Sequence, residues 1–555
     1  MYCISYVVAG LLAVVTALPT TTNSPASTQS TGTAGEVSSF KDIPSSPELH
    51  WTPCYKHFKC SNLEVPLDYE DRSLGSTVVA WIRLDAANGT GTDIIFNPGG
   101  PGGSGVEYML SSGTSELIES IGSGKYNVVS FDPRGVNASA IDLTCFPEDP
   151  EVAAQFDIGS SGTEQEKYAA AVTYNRWCAS ATNGTRARYA GTVAVVQDMM
   201  HFTELQAAQR GQKPKEALIW YYGVSYGTVI GQTLASLFPD RIGRVMVDAN
   251  VNGEEHYNGT TDTAVEDADE TVRYFFKLCH EAGNNKCPFA SDAKSPRDLE
   301  TRFNSILQSL DKEPLQSIDP AFGGPLIITK NRVLNQIFSW LYSPVSYFPY
   351  MAVGLEALCK GNASAWLEVE IATAPEVTPG PFNYTPTAAR EVLQLVTNID
   401  AAGRYPYKNV DEYMKAVDEI EKKDVWFGEG YSATNMLINA GATIMPPKSQ
   451  LFPGFKKTNT KNPIFFLNNN ADPITPLSSA KHMSTFFEGS VVLTQNAGGH
   501  SVTAVKSKCT IGYIQEYLNS GKLPAEGTIC EAEEKPLVDD EKRQRRSVPL
   551  MRRRM

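Results

Sequence analysis

One pentapeptide in the chain has the residue types and spacing of a serine nucleophile. Gly223-Val224-Ser225-Tyr226-Gly227 follows an apolar run at 217–222 and precedes a helix-like stretch that extends to residue 238. A serine between a strand and a helix can occupy a sharp, strained turn, and glycines two residues to either side let the backbone pack that tightly. This arrangement predicts nucleophilic attack by Ser225 on a carbonyl carbon.

A serine nucleophile needs a base and an acid that orients the base. His500 ends the sequence Asn-Ala-Gly-Gly-His directly after the last strand-like run, and Asp472 follows the strand-like run at 463–468. The order Ser225, Asp472, His500 is that of the triad in α/β hydrolases. We therefore predict Ser225 as nucleophile, Asp472 as acid and His500 as base. Two alternatives are a turn or helix cap for Asp472, which precedes a proline, and Asp248 as the acid.

A glycine-rich segment at 97–105, NPGGPGGSG, allows two interpretations. It matches G-x-G-x-x-G after a strand, which is the outline of a dinucleotide-binding loop. It also fits an oxyanion loop, whose glycines let a backbone amide approach the substrate. The GVSYG sequence downstream favours the second interpretation, with the amides of Gly100 and Tyr226 as donors to the oxyanion. We expect no cofactor, and no metal because no CxxC or HExxH spacing occurs.

These residues need a sheet to bring them together. Strand-like runs at 78–84, 93–97, 126–131, 217–222 and 244–247 alternate with helical stretches such as 192–209. Such alternation predicts right-handed βαβ units and a mostly parallel sheet. Helices and loops then dominate from 256 to 440, before strand-like runs return at 463–468 and 490–494. The predicted class is α/β, with an α/β-hydrolase fold, helices on both faces of the sheet and an inserted, mainly helical cap.

The ends of the chain differ in composition from the middle. An apolar run at 7–15 followed by small residues predicts a secretory signal peptide. Ser and Thr dominate the next segment, and the last fifteen residues carry seven positive charges and one negative. The predicted divisions are a signal peptide at 1–17, a disordered leader at 18–48, the first part of the hydrolase core at 49–255, the helical cap at 256–440, the C-terminal part of the core at 441–531, and a disordered basic tail at 532–555.

Composition and charge limit the function classes. The chain has 555 residues, 20% of them charged, and a net charge of −14. This is an ordinary globular composition, and the acidic balance argues against a nucleic-acid partner. After the signal peptide no uninterrupted apolar segment reaches about 18 residues, so we expect no membrane span. The expected partner is a peptide or a small acyl substrate, and the oligomeric state stays open.

Cysteines and glycosylation sequons agree with secretion. Cys3 falls in the signal peptide, and the spacing of the others suggests local disulfides, although the sequence alone does not fix their connectivity. The suggested pairs are Cys54 with Cys60, Cys145 with Cys178, Cys279 with Cys287, and Cys509 with Cys530. Cys359 is left over. Six sequons make a glycoprotein the expected product, at Asn88, Asn137, Asn183, Asn258, Asn362 and Asn383.

Taken together, the motifs resemble a known family. NPGGPGGSG, FDPRGVNAS, GVSYGTVIGQTLASLFPDRIGRVMVDA and LNNNADPITPLSSAKHM resemble the secreted tripeptidyl-aminopeptidase-type members of the prolyl-iminopeptidase-related α/β hydrolases. The resemblance covers residues 50–531 and is loose in the cap. It departs from the family pattern at Pro98, where histidine is frequent, and at Asn137, where the DxRGxGxS pattern has glycine. Asn tolerates a left-handed backbone, so the turn at Asn137 can survive.

The resemblance implies a serine exopeptidase that releases residues or short peptides from free N-termini. Such an enzyme needs carboxylates that hold the substrate ammonium, and the candidates follow the strand-like run at 244–247. They are Glu254 and Glu255, and then Glu266, Asp267, Asp269 and Glu270; a solvated acidic surface is the alternative. Two other functions stay open: an esterase or hydrolase of a natural product, which would use the same triad, and a non-catalytic binding protein on a hydrolase scaffold.

Overall fold

The computed structural model describes residues 36–539, except for 88–90, 112, 123, 147–151, 153–161 and 375–383. The predicted signal peptide, much of the leader and most of the basic tail lie outside the described residues, as do Asn88 and Asn383. The division into domains at 255 and 440 remains a proposal. No helix in the described part of the chain is long and apolar enough to cross a membrane.

Eleven described strands form one sheet, and two more form a small hairpin. The sheet contains β1 (Ser45–Ser46), β2 (Thr52–Cys54), β3 (Phe58–Pro66), β4 (Ser76–Leu84), β5 (Asp93–Asn97), β6 (Asn127–Asp132), β7 (Ile219–Val224), β8 (Ile242–Asp248), β11 (Phe465–Ala471), β12 (Val491–Gly498) and β13 (Ile529–Glu531). The hairpin pairs β9 (Leu315–Ser317) with β10 (Leu326–Ile328).

The order of strands explains how distant motifs meet. It runs β1-β3-β4-β6-β5-β7-β8-β11-β12-β13, with β2 paired to β3. From β6 to β13 every neighbouring pair is parallel, whereas β4 is antiparallel to both β3 and β6. The carboxyl ends of β5, β7, β8, β11 and β12 therefore share one edge of the sheet. Each candidate catalytic motif of the sequence follows one of these strands.

The described helices are listed here in chain order. They are α1 (Gly105–Leu110), α2 (Gly113–Ile121), α3 (Glu164–Ala181), α4 (Thr192–Gln209), α5 (Tyr226–Leu237), α6 (Gly253–Asn258), α7 (Ala268–Ala282), α8 (Pro296–Lys312), α9 (Lys330–Leu341), α10 (Pro344–Cys359), α11 (Ala363–Ala372), α12 (Pro386–Ala401), α13 (Val410–Glu421), α14 (Ala433–Asn435), α15 (Leu477–Ser484) and α16 (Lys508–Ser520).

Apolar side chains form a separate core on each face of the sheet and a third within the insertion. The insertion's own core joins α7 to α11 and includes Trp340, Phe348 and Trp366. The later part of the insertion behaves differently, because α12 and α13 contribute Leu395 and Tyr413 to the large core on one face of the sheet. Part of the predicted cap is therefore packed into the hydrolase body.

Four disulfides lie within the described residues, and they join the four pairs that the cysteine spacing suggests. These are Cys54–Cys60, Cys145–Cys178, Cys279–Cys287 and Cys509–Cys530. Cys359 is a free thiol at the end of α10. Each disulfide closes a short loop, which limits the conformations open to the unfolded chain.

Candidate active site

Ser225 occupies the sharp turn that the sequence predicts. It lies between β7 and α5 with φ +58° and ψ −127°, a conformation that costs a non-glycine residue energy. Its backbone N–H donates to the Asp248 carbonyl oxygen at 3.0 Å. The flanking glycines are required, because a Cβ added to Gly223 would lie 2.3 Å from the Gly227 carbonyl oxygen. The turn thus presents a serine hydroxyl at the N-terminus of a helix.

The glycine loop after β5 lies directly against this turn. A Cβ added to Gly99 would lie 2.8 Å from Ser225 Cβ and 3.0 Å from the Tyr226 nitrogen. Gly99 and Gly100 have φ of +98° and +116°, which side chains disfavour. The Gly99 amide donates to Asn97 Oδ1 at 2.9 Å, whereas the Gly100 amide donates to no described residue. Gly100 therefore stays the candidate donor in this loop, beside the Tyr226 amide at the first position of α5.

Asp472 and His500 form a buried pair at the neighbouring strand ends. His500 Nδ1 lies 3.0 Å from both carboxylate oxygens of Asp472. The carboxylate also accepts bonds from the Ile474, Thr475 and Ser501 amides, and Thr475 Oγ1 lies 3.2 Å from His500 Nδ1. The carboxylate fixes the imidazole orientation with Nδ1 protonated, which leaves Nε2 as the basic nitrogen.

The other ring nitrogen of His500, Nε2, takes no part in these bonds. It is buried and has no hydrogen-bond partner among the described residues. The loop that carries it is held at successive amides: Gly499 N donates to Ala471 O, and His500 N donates to Tyr342 O. A buried nitrogen without a hydrogen bond costs free energy. If this is an active site, the expected reason is that a reacting group will form the missing bond with Nε2.

Asp248, the rival acid of the sequence, contacts the histidine loop and does not hydrogen-bond to the imidazole. Its carboxylate accepts bonds from Ser501 Oγ at 2.7 Å, Val502 N at 3.0 Å and Tyr222 Oη at 3.0 Å. Burial raises its pKa to about 6. Because its backbone carbonyl also accepts the Ser225 amide, Asp248 links the serine turn to the histidine loop.

Tyr342 is a contact that the sequence did not predict. It lies in the aromatic segment at 338–350, where Phe338, Trp340 and Phe348 are buried in the insertion's core. Tyr342, however, follows α9 and lies over the site, with its ring 4.9 Å from the His500 ring in an edge arrangement. No local pattern distinguishes it from its buried neighbours, so only the packing of the insertion identifies it.

The two glutamates suggested for substrate binding occupy different environments. Glu254 Oε2 is 2.6 Å from His482 Nε2, near the surface. Glu255 accepts bonds from Thr263 and lines a cavity of about 70 Å³ together with His256 and Thr475. Burial raises the pKa of Glu255 to about 6. No contact in the structure joins either glutamate to Ser225.

Other carboxylates lie close together beside the Asp472 loop. Burial and the neighbouring carboxylates, including Glu266 and Asp472, raise the pKa of Asp267 to about 6. The same causes, with Asp269 as the main neighbour, raise the pKa of Asp424 to about 7. Asp267 Oδ2 accepts the Leu477 amide at 3.1 Å, which ties this group to the segment after Asp472. The sequence did not indicate Asp424, because it lies about 155 residues beyond the other acids.

Of the predicted glycosylation sites, Asn137 is unsuited to carry a glycan. Its amide nitrogen donates to Ser104 Oγ at 3.0 Å and to Asp132 Oδ2 at 3.1 Å, and a glycan on that nitrogen would displace these bonds. Asn183, Asn258 and Asn362 are exposed. Glycosylation at those three positions stays a prediction.

Comparison with protein families agrees with this geometry. Residues 93–348 match the model of the alpha/beta hydrolase fold, and residues 434–530 match the model of TAP-like proteins. The two matches contain the glycine loop, Ser225, Asp472 and His500. The sheet order, the strained serine turn and the two matches together exclude a dinucleotide-binding fold for the segment at 97–105.

Two relatives are similar along most of the chain. A tripeptidyl aminopeptidase of Streptomyces lividans is 24% identical over 501 residues, which are 87% of this chain and 86% of that protein. The serine protease Hip1 of Mycobacterium tuberculosis is 23% identical over 497 residues, which are 87% of this chain and 91% of that protein. Both similarities extend through the insertion as well as the hydrolase core.

Proposed function

Because this chain belongs to the α/β hydrolases related to tripeptidyl aminopeptidases, we propose that it is a secreted serine aminopeptidase. Its substrate would be a peptide with a free N-terminus, from which it releases single residues or short peptides. Four disulfides support an extracellular site of action, since disulfides persist in oxidising compartments.

The observation that carries the proposal is the buried His500–Asp472 pair beside the strained Ser225 turn. The imidazole presents an unpartnered Nε2, and Asp248 joins the loop of the base to the backbone of the serine. Gly99 packs on Ser225 and on the Tyr226 nitrogen, and Gly100 is the next residue of the same loop. A nucleophile, an oriented base and two amide donors are the parts that acyl transfer requires.

The proposed reaction proceeds in two steps. Ser225 Oγ attacks the scissile carbonyl carbon while His500 Nε2 takes its proton, and Asp472 stabilises the imidazolium. The Gly100 and Tyr226 amides stabilise the tetrahedral oxyanion. His500 then gives the proton to the leaving amine, which departs and leaves an acyl-enzyme. Water, deprotonated by His500, attacks the ester and releases the peptide or amino acid with Ser225 restored.

The first experiment compares the wild type with Ser225→Ala on peptide anilides, free or acetylated at the N-terminus, and on p-nitrophenyl esters. We expect the wild type to cleave the free anilides and the variant to lose roughly 10⁴- to 10⁶-fold in kcat. Ser236→Ala is the matched control, because Ser236 lies on the same helix and bonds only to the Gln232 carbonyl. Cleavage of esters without anilides would instead indicate an esterase, and full activity of Ser225→Ala would refute the site.

For the substrate ammonium, we propose the carboxylates around Asp267 and Asp424. Burial first, and then repulsion from neighbouring carboxylates, raise both pKa values, and a bound cation would relieve that repulsion. Asp424 is 6% exposed and has Asp267 and Asp269 among its neighbours. Of these carboxylates it is therefore the one whose negative charge is most unfavourable when no cation is bound.

Asp424→Asn should raise KM for free N-terminal anilides about tenfold, the size of a lost charge-assisted hydrogen bond. The kcat/KM for a p-nitrophenyl ester should stay within twofold. In the wild type the same KM should rise as the pH falls through about 7, because Asp424 then becomes protonated. Glu281→Gln is the control, since Glu281 lies in the same insertion and pairs with Lys535 at the surface. Equal KM values in both variants would refute the ammonium site.

A further inference from the structure

A chain of buried hydrogen bonds runs from the Tyr226 hydroxyl to a histidine of the insertion. Tyr226 Oη lies 2.5 Å from Thr192 Oγ1, which lies 2.5 Å from Asp400 Oδ2. His256 Nε2 lies 2.8 Å from the same Asp400 oxygen. All four side chains are less than one-tenth exposed. The acyl-transfer steps use the backbone amide of Tyr226, and they leave these side chains without a role.

The acceptor fixes the direction of these bonds. An ionised carboxylate only accepts, so Thr192 Oγ1 and His256 Nε2 both donate to Asp400. A hydroxyl has a single proton, and Thr192 Oγ1 must therefore accept its second bond from the Tyr226 hydroxyl. Burial and the Asp400 charge hold the pKa of Tyr226 well above its usual value, so the phenol keeps the proton that it donates.

Asp400 is itself held by a helix 208 residues away in the chain. Its Oδ1 accepts the Thr192 backbone amide at 2.8 Å, at the N-terminus of α4. The N-cap residue there is Gly191, which has no side chain to cap the helix, so Asp400 supplies the missing acceptor. A Cβ on Gly191 would lie 2.9 Å from Asp400 Oδ1, so only glycine admits this approach. The helix N-terminus in turn stabilises the carboxylate.

The helix that carries Asp400 also contacts the other side of the oxyanion hole. A Cβ on Gly102, in the glycine loop, would lie 2.6 Å from the Ala389 carbonyl oxygen of α12. Just before α12, Tyr384 Oη donates to the Gly102 carbonyl oxygen at 2.8 Å. One helix of the insertion therefore contacts the glycine loop directly and reaches the Tyr226 side chain through Thr192.

We propose that Asp400, through Thr192 and together with His256, is a positioning residue for the Tyr226 amide in the oxyanion hole. The inference rests on the acyl-transfer function proposed above. Stabilisation of the oxyanion depends on donors placed within about 2.7–3.1 Å of it. The tether at Oη fixes the far end of the Tyr226 ring and with it the first residue of α5. Helix α12 thereby contributes to catalysis without touching substrate.

The test uses Tyr226→Phe, Thr192→Val and the conservative Thr192→Ser in the full-length protein. We measure kcat and KM for a free peptide anilide, kcat/KM for p-nitrophenyl acetate, and the Ki of a peptide boronic acid, which forms a tetrahedral adduct with Ser225. In Tyr226→Phe and Thr192→Val, kcat and boronate affinity should both fall roughly tenfold, as for other outer-shell contacts. KM should stay within twofold, and Thr192→Ser should recover most of the loss.

Tyr257→Phe is the matched control. Tyr257 Oη lies 2.9 Å from Thr233 Oγ1, so the two form a buried tyrosine–threonine pair like that of Tyr226 and Thr192. Thr233 is further along α5 from Ser225. Tyr257→Phe should leave kcat and boronate affinity within twofold of the wild type. Equal losses in Tyr226→Phe and Tyr257→Phe, or a change in KM alone, would overturn the proposal. If the wild type cleaved the ester and no anilide, the peptidase function would fail, while the ester and boronate readouts would still decide the positioning role.

Discussion

The two buried aspartates near His500 differ in what they contact, and this difference sets their roles. Asp472 lies 3.0 Å from His500 Nδ1, whereas Asp248 accepts bonds from Ser501 and Val502 in the loop beyond the histidine. Only the first can fix the tautomer and stabilise the imidazolium. The second fixes the path of the backbone, including Ser501, whose φ is +78°.

Substitution of the two aspartates should therefore lower kcat by very different amounts. Asp472→Asn should lower kcat roughly 10⁴-fold, because an amide would favour the wrong tautomer of His500. Asp248→Asn should lower kcat about tenfold, since the imidazole keeps its acid and only the loop loosens. Steady-state kinetics on the preferred anilide would measure both. A larger loss in Asp248→Asn than in Asp472→Asn would reverse the assignment of the acid.

At the scale of elements, one arginine fastens the end of β6 to three other segments. Arg134 is fully buried and forms two bonds with Asp198 of α4, at 2.7 and 2.8 Å. It also donates to the Pro66 and Leu67 carbonyls at the end of β3 and to the Tyr189 carbonyl before α4. A planar guanidinium with five donors is suited to this number of acceptors. The arginine thus fixes the position of α4 relative to the sheet.

Arg134→Met should destabilise the protein by about 3–5 kcal/mol, because it leaves the Asp198 charge buried with Tyr69 as its remaining side-chain partner. Urea unfolding followed by tryptophan fluorescence would measure the loss. Arg210→Met is the control: Arg210 pairs with Asp93 at the end of the same helix but is 37% exposed, and its loss should cost less than about 1 kcal/mol. Similar midpoints for the two variants would contradict the role of Arg134.

At the scale of the whole molecule, buried carboxylates govern how stability varies with pH. Burial is the main cause of raised pKa values at nine described carboxyls: to about 6 at Asp132, Asp248, Glu255 and Asp267, to about 7 at Glu107 and Asp424, and above the ordinary value at Asp262, Asp269 and Glu391. In the unfolded chain such groups titrate near pH 4. Between about pH 4 and 7 these groups therefore bind more protons in the native state than in the unfolded state.

The sign of the pH effect follows from this difference. The free energy of unfolding that these groups contribute is largest below about pH 4, and it is lost as the pH rises through 6 to 7. The urea midpoint should therefore be higher at pH 5 than at pH 7.5. His201, whose pKa burial lowers, acts in the opposite direction as a single group. Asp248→Asn should reduce the pH dependence, and a lower midpoint at pH 5 in the wild type would contradict the prediction.

Local patterns in the sequence were enough to predict the elements nearest the site. The helix predicted at 192–209 and the strand at 93–97 have those same bounds in the structure, and the other predicted strands differ by a few residues at their ends. Apolar runs and glycine turns are local signals, and the short cysteine pairs are local as well. The order of Ser225, Asp472 and His500 could be read from the sequence because each residue lies within two positions of the end of a strand.

What the sequence by itself determined is the α/β-hydrolase fold, the serine turn and the residue types of the candidate triad, since these depend on neighbours in the chain. Only the tertiary structure decided which aspartate contacts His500, that Tyr342 lies over it, that Asp424 joins the acids of 266–269, and that α12 packs into the hydrolase body. Each of these joins residues that are distant in sequence, through apolar burial and hydrogen bonds that become defined only when the insertion folds onto the sheet.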